Sequence, residues 1–456
     1  MTLLNNGYGT TAVATANNFT TVSGLIKEFG PEKVVNTINQ TSPLIGSGAL
    51  EKTMQKGQEL VVTVKPGGIP SVASVGDFGR RPTGQTNPPA KARFVPAMIT
   101  GQIRIGTQAL QAVLEADTIV EMVDVELEDL ASGVARHLGR AIYRNAENPQ
   151  AVATWSSTAA NGTVTINFLD VSMFRPGVAY DYIDTSSTFS YVVRCTCVLP
   201  TAIGGNSANI AGAVSFINDV VNPTTNAVVA LTDTSVATTD VFRLRGSTVG
   251  FGGAGTLIAG QVMNSFVDMS SPTAVFGGLD PATTLGWAGS TSALGGPWNQ
   301  DTPLGFMARL QNVSGETFTH CLMNPVIGAA HAVFSGAQGN VYGIPLGVSS
   351  GARPMGLKAD YDKYGAFEQS GSGLKFAGRP VIEDPNCPAD IVVLHNKRTA
   401  KLGVWRELSP EQKTESGGIL WNSEDGMFTQ SNFTGSMQLY CTKRNAVGVI
   451  TGITGA

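Results

Sequence analysis

The chain has 456 residues, enough for two or three domains with well-buried cores. Charged residues make up 14%, against 54 Gly and 23 Pro, so loops are plentiful and the surface is poor in charge, as on faces covered by other protein. The net charge of -4 has the wrong sign for gripping nucleic acid by counterion release. Five scattered cysteines (Cys195, Cys197, Cys321, Cys387 and Cys441) speak against a disulfide framework, and the chain carries neither a secretory start nor an apolar run near the ~20 residues of a membrane span.

Residues 1–50 read as an arm. A polar Thr/Asn/Ala stretch precedes two short amphipathic pieces, Val22 to Phe29 and Pro31 to Ile38, each too short to be a stable helix alone. Lys56 to Lys65 and then Ala92 to Ile105 are strand-like. Between them Pro66, Gly67, Gly68, Pro70, Gly76, Gly79, Pro82, Gly84, Pro88 and Pro89 break any regular structure. The expected result is an extended hairpin, only marginally stable unless it lies on something.

From Thr107 to about Asn145 the apolar residues Leu110, Val113, Val120, Val123, Leu127, Leu130, Val134, Leu138 and Ala141 recur at steps of three and four, which predicts one long helix. Acids lead (Glu115, Asp117, Glu121, Asp124, Glu126, Glu128, Asp129) and bases follow (Arg136, Arg140, Arg144), the order that complements the helix dipole. At 1.5 Å per residue the rod would be roughly 55–60 Å long.

An all-β module is expected next, with strands at Thr163 to Phe168, Val178 to Ile183, Phe189 to Val198, Ala227 to Thr232 and Val241 to Arg245. Thr302 with Pro303, and Asn324 with Pro325, each pair an N-cap with a proline at the first helical position. The last hundred residues return to strands at Arg379 to Ile382, Ile391 to His395, Lys401 to Trp405, Met437 to Thr442 and Val447 to Thr451.

Three motifs imitate chemistry. Gly250, Gly252 and Gly255 match a dinucleotide fingerprint, with Asp268 downstream, but an all-β module rather than a βαβ unit precedes them and Pro272 soon follows. Gly347, Ser349 and Gly351, with Asp384 or Asp390 and His395, follow hydrolase order, yet Gly351 and Pro354 obstruct the helix a nucleophile elbow needs. Asp360 to Gly365 opens like a calcium loop but puts Gly371 where the bidentate Glu belongs. Cys195 and Cys197 would send both thiols to one side of a strand without a second ligand pair. His137, His320, His331 and His395 lack ligand-spaced partners and read as structural. No catalytic residue, cofactor or metal is expected.

One charge pattern remains. Between Glu59 and Glu115 the only acid is Asp77, whereas Lys65, Arg80, Arg81, Lys91, Arg93 and Arg104 are basic. A basic hairpin reaching the acidic start of the helix on a neighbouring copy would meet complementary charge, which sets register and partner choice.

Arm, two-stranded loop, acidic-then-basic helix and mixed remainder, in that order, resemble the Hong Kong 97-type major capsid proteins of tailed bacteriophages. Two segments sharpen the resemblance: Ile103 to Leu110 entering the helix, and Phe376 to Pro388, whose Gly378, Pro380 and Val381 look like the family's G-x-P-V strand. The resemblance implies an α+β fold divided into an N-terminal arm (1–50), an E-loop hairpin with flanking P-domain strands (51–104), a P-domain spine helix (105–154), an inserted β domain (155–247), an A domain (248–404) and C-terminal strands returning to the P domain (405–456). It also implies a structural role without enzymatic activity. Copies would form the hexamers and pentamers of an icosahedral shell around double-stranded DNA, assembled in a host cytoplasm and residing in the virion.

Its implied partners are further copies, a separate scaffold protein, the portal and a decoration or cement protein, with weak contact to packaged DNA and none to membrane. The inter-subunit contact is expected at Lys65, Arg80, Arg81, Lys91 and Arg93 against Asp124 and Glu128. The alternatives are a cellular nanocompartment shell of the same fold, which would package an enzyme, and a virion surface protein that binds carbohydrate through the β module.

Overall fold

The computed structural model describes residues 43–64, 89–106, 116–144, 164–168, 171, 174–183, 190–200, 212–218, 241–244, 263–284, 286–299, 301–331, 375–377, 379–411, 421–422 and 428–453. The expected helical pieces at 22–38, the hairpin tip, the strand at 227–232, and the motifs at 250–255, 347–351 and 360–365 lie outside the described residues.

The first part of the chain forms α1 (Pro43–Gly46), β1 (Glu51–Met54), β2 (Leu60–Val64), β3 (Ala90–Phe94), β4 (Ala97–Gly106) and α2 (Ala116–Tyr143). The middle forms β5 (Val164–Phe168), β6 (Ala179–Ile183), β7 (Ser190–Pro200), β8 (Gly212–Asn218), β9 (Val241–Leu244), α3 (Phe266–Ser270), β10 (Ser290–Gly296), α4 (Asp301–Ser314) and β11 (His320–Met323), followed by α5 at 325–331. The last part forms β12 (Lys375–Phe376), β13 (Arg379–Glu383), β14 (Val392–His395), β15 (Ala400–Pro410), β16 (Trp421–Asn422), β17 (Phe428–Cys441) and β18 (Gly448–Ile453).

The fold is α+β. In the first sheet β17 lies between β15 and β4, β1 adds in parallel to β15, and β16 pairs with β17. Helix α2 covers one face. Val134, Ala135, Leu138, Ile142 and Tyr143 are buried, and Gly101 of β4 makes room for Leu130 and Val134, which lie 2.5 and 3.2 Å from where a Cβ would stand. The described helix has 28 residues, about 42 Å at the standard rise; residues 107–115 of the expected span lie outside the description.

The expected single run from Ala92 to Ile105 is two strands. Pro96 offers no N–H to a ladder, so the chain turns there. β3 pairs back with β2, Leu60 opposite Phe94 through Val64 opposite Ala90, whereas β4 departs to β17, Ala97 opposite Met437 through Gly106 opposite Phe428.

The second sheet has the order β10-β18-β14-β11-β13-β12. Here the grouping of 405–456 with the long helix fails for one strand. β18 lies between β10 and β14, because Gly448, Val449, Ile450 and Ile453 are buried and a strand apolar on both faces belongs in a sheet interior. Asn324 caps α5 as expected: its Oδ1 accepts from the Val326 N–H at 3.0 Å. At the other pair the helix starts earlier, so Pro303 stands in the first turn and Asn299 Oδ1, not Thr302, accepts a hydrogen bond from the Thr302 N–H.

Five antiparallel strands form the third sheet, β5-β8-β7-β6-β9. Four were expected; β8 was not. One face is aromatic, with Phe168, Phe174, Tyr180, Tyr182, Phe216 and Phe242 all buried in a core of their own, and Phe216 stacks on Phe242 at 5.3 Å. A bulge between Cys195 and Cys197 shifts the register, so Cys195 pairs with the buried Phe216 and Cys197 with the half-buried Ser215. The two thiols therefore occupy opposite faces, contrary to the simple alternation, since the extra residue of a bulge reverses it.

Candidate assembly surfaces and their anchors

The hairpin base sits on its own chain. Val64, Ala92 and Phe94 are buried in the main core, with Phe94 5.4 Å from Phe276 and 6.0 Å from Tyr440. The Arg93 N–H donates to the Gly277 carbonyl at 2.8 Å. Gly277 has φ 60°, and a Cβ there would stand 2.9 Å from the Phe94 ring, so glycine serves both the turn and the close approach. The opposite face carries Val61, Thr63, Lys91 and Arg93, all exposed.

Arg93 pairs at 3.1 Å with Glu59 on the same face, both side chains more than a third exposed, a geometry that contributes little to stability. Lys91 stands beside it, opposite Thr63. On α2, Glu128 and Asp129 are exposed. The backbone of Asp124 belongs to α2, but its side chain lies outside the described residues, as do Lys65, Arg80 and Arg81. Within one chain, then, Arg93 meets Glu59 rather than either expected acid of the helix.

The end of α2, the turn at 384–390 and segment 43–50 meet at a polar junction. Tyr143 Oη donates to Asp384 Oδ2 at 3.0 Å, and the Asn386 N–H donates to Asp384 Oδ1 at 2.8 Å. The Leu44 N–H donates to the same carboxylate. Burial pushes the Asp384 carboxyl up, opposed by these hydrogen bonds, and burial likewise raises the Tyr143 phenol, with the Asp384 charge adding to it. Arg144 pairs with Asp390 at 2.9 Å, and Arg140 Nη1 donates to the Asn386 carbonyl at 3.3 Å. Basic groups at a helix C-terminus oppose its partial negative charge, which explains the acid-to-base order along this helix. Tyr143→Phe is expected to cost about 2 kcal/mol, because a buried carboxylate loses a donor; a loss below about 0.5 kcal/mol in urea denaturation would contradict this account.

His395 lies fully buried beside this junction. Its Nε2 donates to the Ala49 carbonyl at 2.9 Å, its ring stacks on His320 at 6.2 Å, and Phe266 packs at 5.4 Å. Burial lowers its pKa to about 4. Neither Asp384 nor Asp390 is bonded to the ring, so the hydrolase order of the sequence does not become a triad.

Arg444 was not singled out by the sequence. It is fully buried, and its guanidinium donates to the carbonyls of Met269 (2.8 Å), Ala274 (2.8 Å), Asp268 (3.1 Å) and Ser271 (2.7 Å) while lying 5.1 Å from the Phe276 ring centroid. It thus fixes the end of α3 and the loop that receives the hairpin. Nothing local marks it, since Lys443, Arg444 and Asn445 read as an ordinary polar turn.

Among the described residues no helix is long and apolar enough to cross a membrane, and no group of three or more His, Cys, Asp or Glu could hold a metal ion. No family model matches the chain, and no curated protein matches it. Solved structures do. The chain is similar to the capsid asymmetric unit of cyanophage A-1(L), at 11% identity over 93% of each chain with a TM-score of 0.42. It is similar to a structure of Mycobacterium phage Patience at 10% identity, covering 94% of this chain and 87% of that one, TM-score 0.41. A virus-like particle from Pyrococcus furiosus matches at 8% identity over 93% of this chain and 98% of that one, TM-score 0.36.

Proposed function

We propose that the chain is the major capsid protein of a tailed bacteriophage, forming the hexamers and pentamers of an icosahedral shell around double-stranded DNA. The observation that carries this reading is the hairpin: one face is sealed into the chain's own core, and the other presents Lys91 and Arg93 to the outside. The long helix meanwhile turns Glu128 and Asp129 outward. Such opposed surfaces suit head-to-tail contact between copies, which closes into rings.

In this reading the arm and the E-loop overlap neighbouring subunits, and Arg80, Arg81, Lys91 and Arg93 meet Asp124 and Glu128 of an adjacent copy. Residues 155–247 form an inserted β domain, 248–404 most of the A domain, and the spine helix with its sheet the P domain. A separate scaffold, the portal and a cement protein complete the list of partners, assembly takes place in a host cytoplasm, and the virion is the final location.

Electron microscopy of the purified chain tests the reading, with closed hollow particles expected and a discrete monomer or trimer opposing it. Reversing Arg80, Arg81, Lys91 and Arg93 to Glu is expected to lower the yield of closed particles about tenfold or more. An unchanged yield, with unchanged particle stability, would remove the charge contact from the proposal.

A further inference from the structure

We propose that segment 43–50, through which the amino-terminal region joins the body, is held by a proton-operated latch at His395. The ring has one assignable protonation state in the closed form. A ring nitrogen facing a carbonyl must be the donor, so Nε2 carries the hydrogen that bonds Ala49, and Nδ1 is left as a bare, buried nitrogen with no partner among the described residues. A second proton would therefore have to sit on Nδ1, in a site with no acceptor for it, and an ionised group without a partner is strongly disfavoured inside a protein.

The surroundings offer no relief. From β11 the ionisable group facing the ring is His320, itself a base and next to the Lys397 charge. Among the described residues, α3 brings the Phe266 ring against it and segment 43–50 the Ala49 carbonyl. Both titratable neighbours are thus basic. A protonated imidazole gains its hydration by swinging out, and in doing so it releases Ala49.

The sign follows from linkage. The closed ring titrates near 4 and a freed one near 6.5, so the open form binds the extra proton and becomes more populated as pH falls below about 6.5. Asp384, the other polar anchor of this segment, works the other way. Its carboxyl is raised in the closed form, so acid favours closure there, and acid-dependent loosening is the signature of the histidine. The proposal concerns the chain itself and stands whether or not the chain builds a shell.

The test is hydrogen exchange by mass spectrometry on the full chain, following peptides that cover 43–50 and correcting for intrinsic exchange. Opening is expected to rise about 30-fold between pH 7.5 and pH 5. In His395→Gln, whose amide can still donate to Ala49 but does not titrate, that rise should flatten while peptides elsewhere keep their protection. An equal rise in the variant overturns the latch. Should His395→Gln fail to fold, exchange of the histidine C2 hydrogens in the native chain reads the ring directly: a midpoint at or below about 5 supports the proposal, and one near 6.5 overturns it.

Discussion

Arg444→Met is expected to destabilise the chain by about 4 kcal/mol. The guanidinium satisfies four backbone carbonyls in a fully buried site, and methionine fills similar space while donating nothing. Each orphaned buried acceptor costs about 1–3 kcal/mol, and removing one member of a buried charged network typically costs about 3–5 kcal/mol. The sum of the four is larger than the expected loss, because carbonyls at the end of a short helix can turn toward water. Lysine should rescue little, since a single ammonium cannot reproduce the planar fork. The loss should also reach the hairpin: Phe276 and Gly277 hold its base, so amides of β2 and β3 should exchange faster than those of β14. Urea denaturation checks the first outcome and hydrogen exchange the second. A loss under about 1 kcal/mol would mean that the loop is held by something else.

Gly289→Ala is expected to be nearly as damaging, at about 3 kcal/mol or more. A Cβ at Gly289 would overlap the backbone of Met269 and Ser270, and the Met269 carbonyl, like that of the following Ser271, accepts from the Arg444 guanidinium. Backbone pinned from two sides cannot give way, and overpacked sites cost about 1–3 kcal/mol even where neighbours adjust. Gly448→Ala makes a useful contrast. Its Cβ would meet Leu310 and Phe306, side chains of α4 that can change rotamer, so its melting temperature should lie well above that of Gly289→Ala.

The sequence made the local elements legible and left their long-range partners hidden. The stripe from Leu130 to Ala141 repeats every three or four residues, and the β-branched runs at Arg379 to Ile382 and Ile391 to His395 lie between turn residues, so helix and strands could be placed from neighbours alone. β8 escaped because Val214 and Phe216 are short-range signals inside a stretch of Ala, Gly and Asn. The pairing of β18 depends on two strands at very different distances back along the chain, β14 and the far earlier β10, and no local pattern distinguishes one receiving sheet from another. At the surfaces, the run of bases almost without acids marked the hairpin that carries Lys91 and Arg93 as basic, but gave no sign of the Glu59 contact. The anchors were the least visible: His395 looked like any isolated histidine, and Arg444 like a solvated cation, because burial is conferred by elements that come together only in the folded chain.

The position of β18 bears on the timing of synthesis. β10 and β14 leave the ribosome well before residues 448–453 exist, yet these two strands meet only through that late segment. Until residues 448–453 have been made, the middle of the second sheet is an unfilled slot flanked by two strands, a state that invites wrong pairings. A nascent chain stalled before Gly448 should therefore be captured by chaperones more readily than one stalled after Ile453.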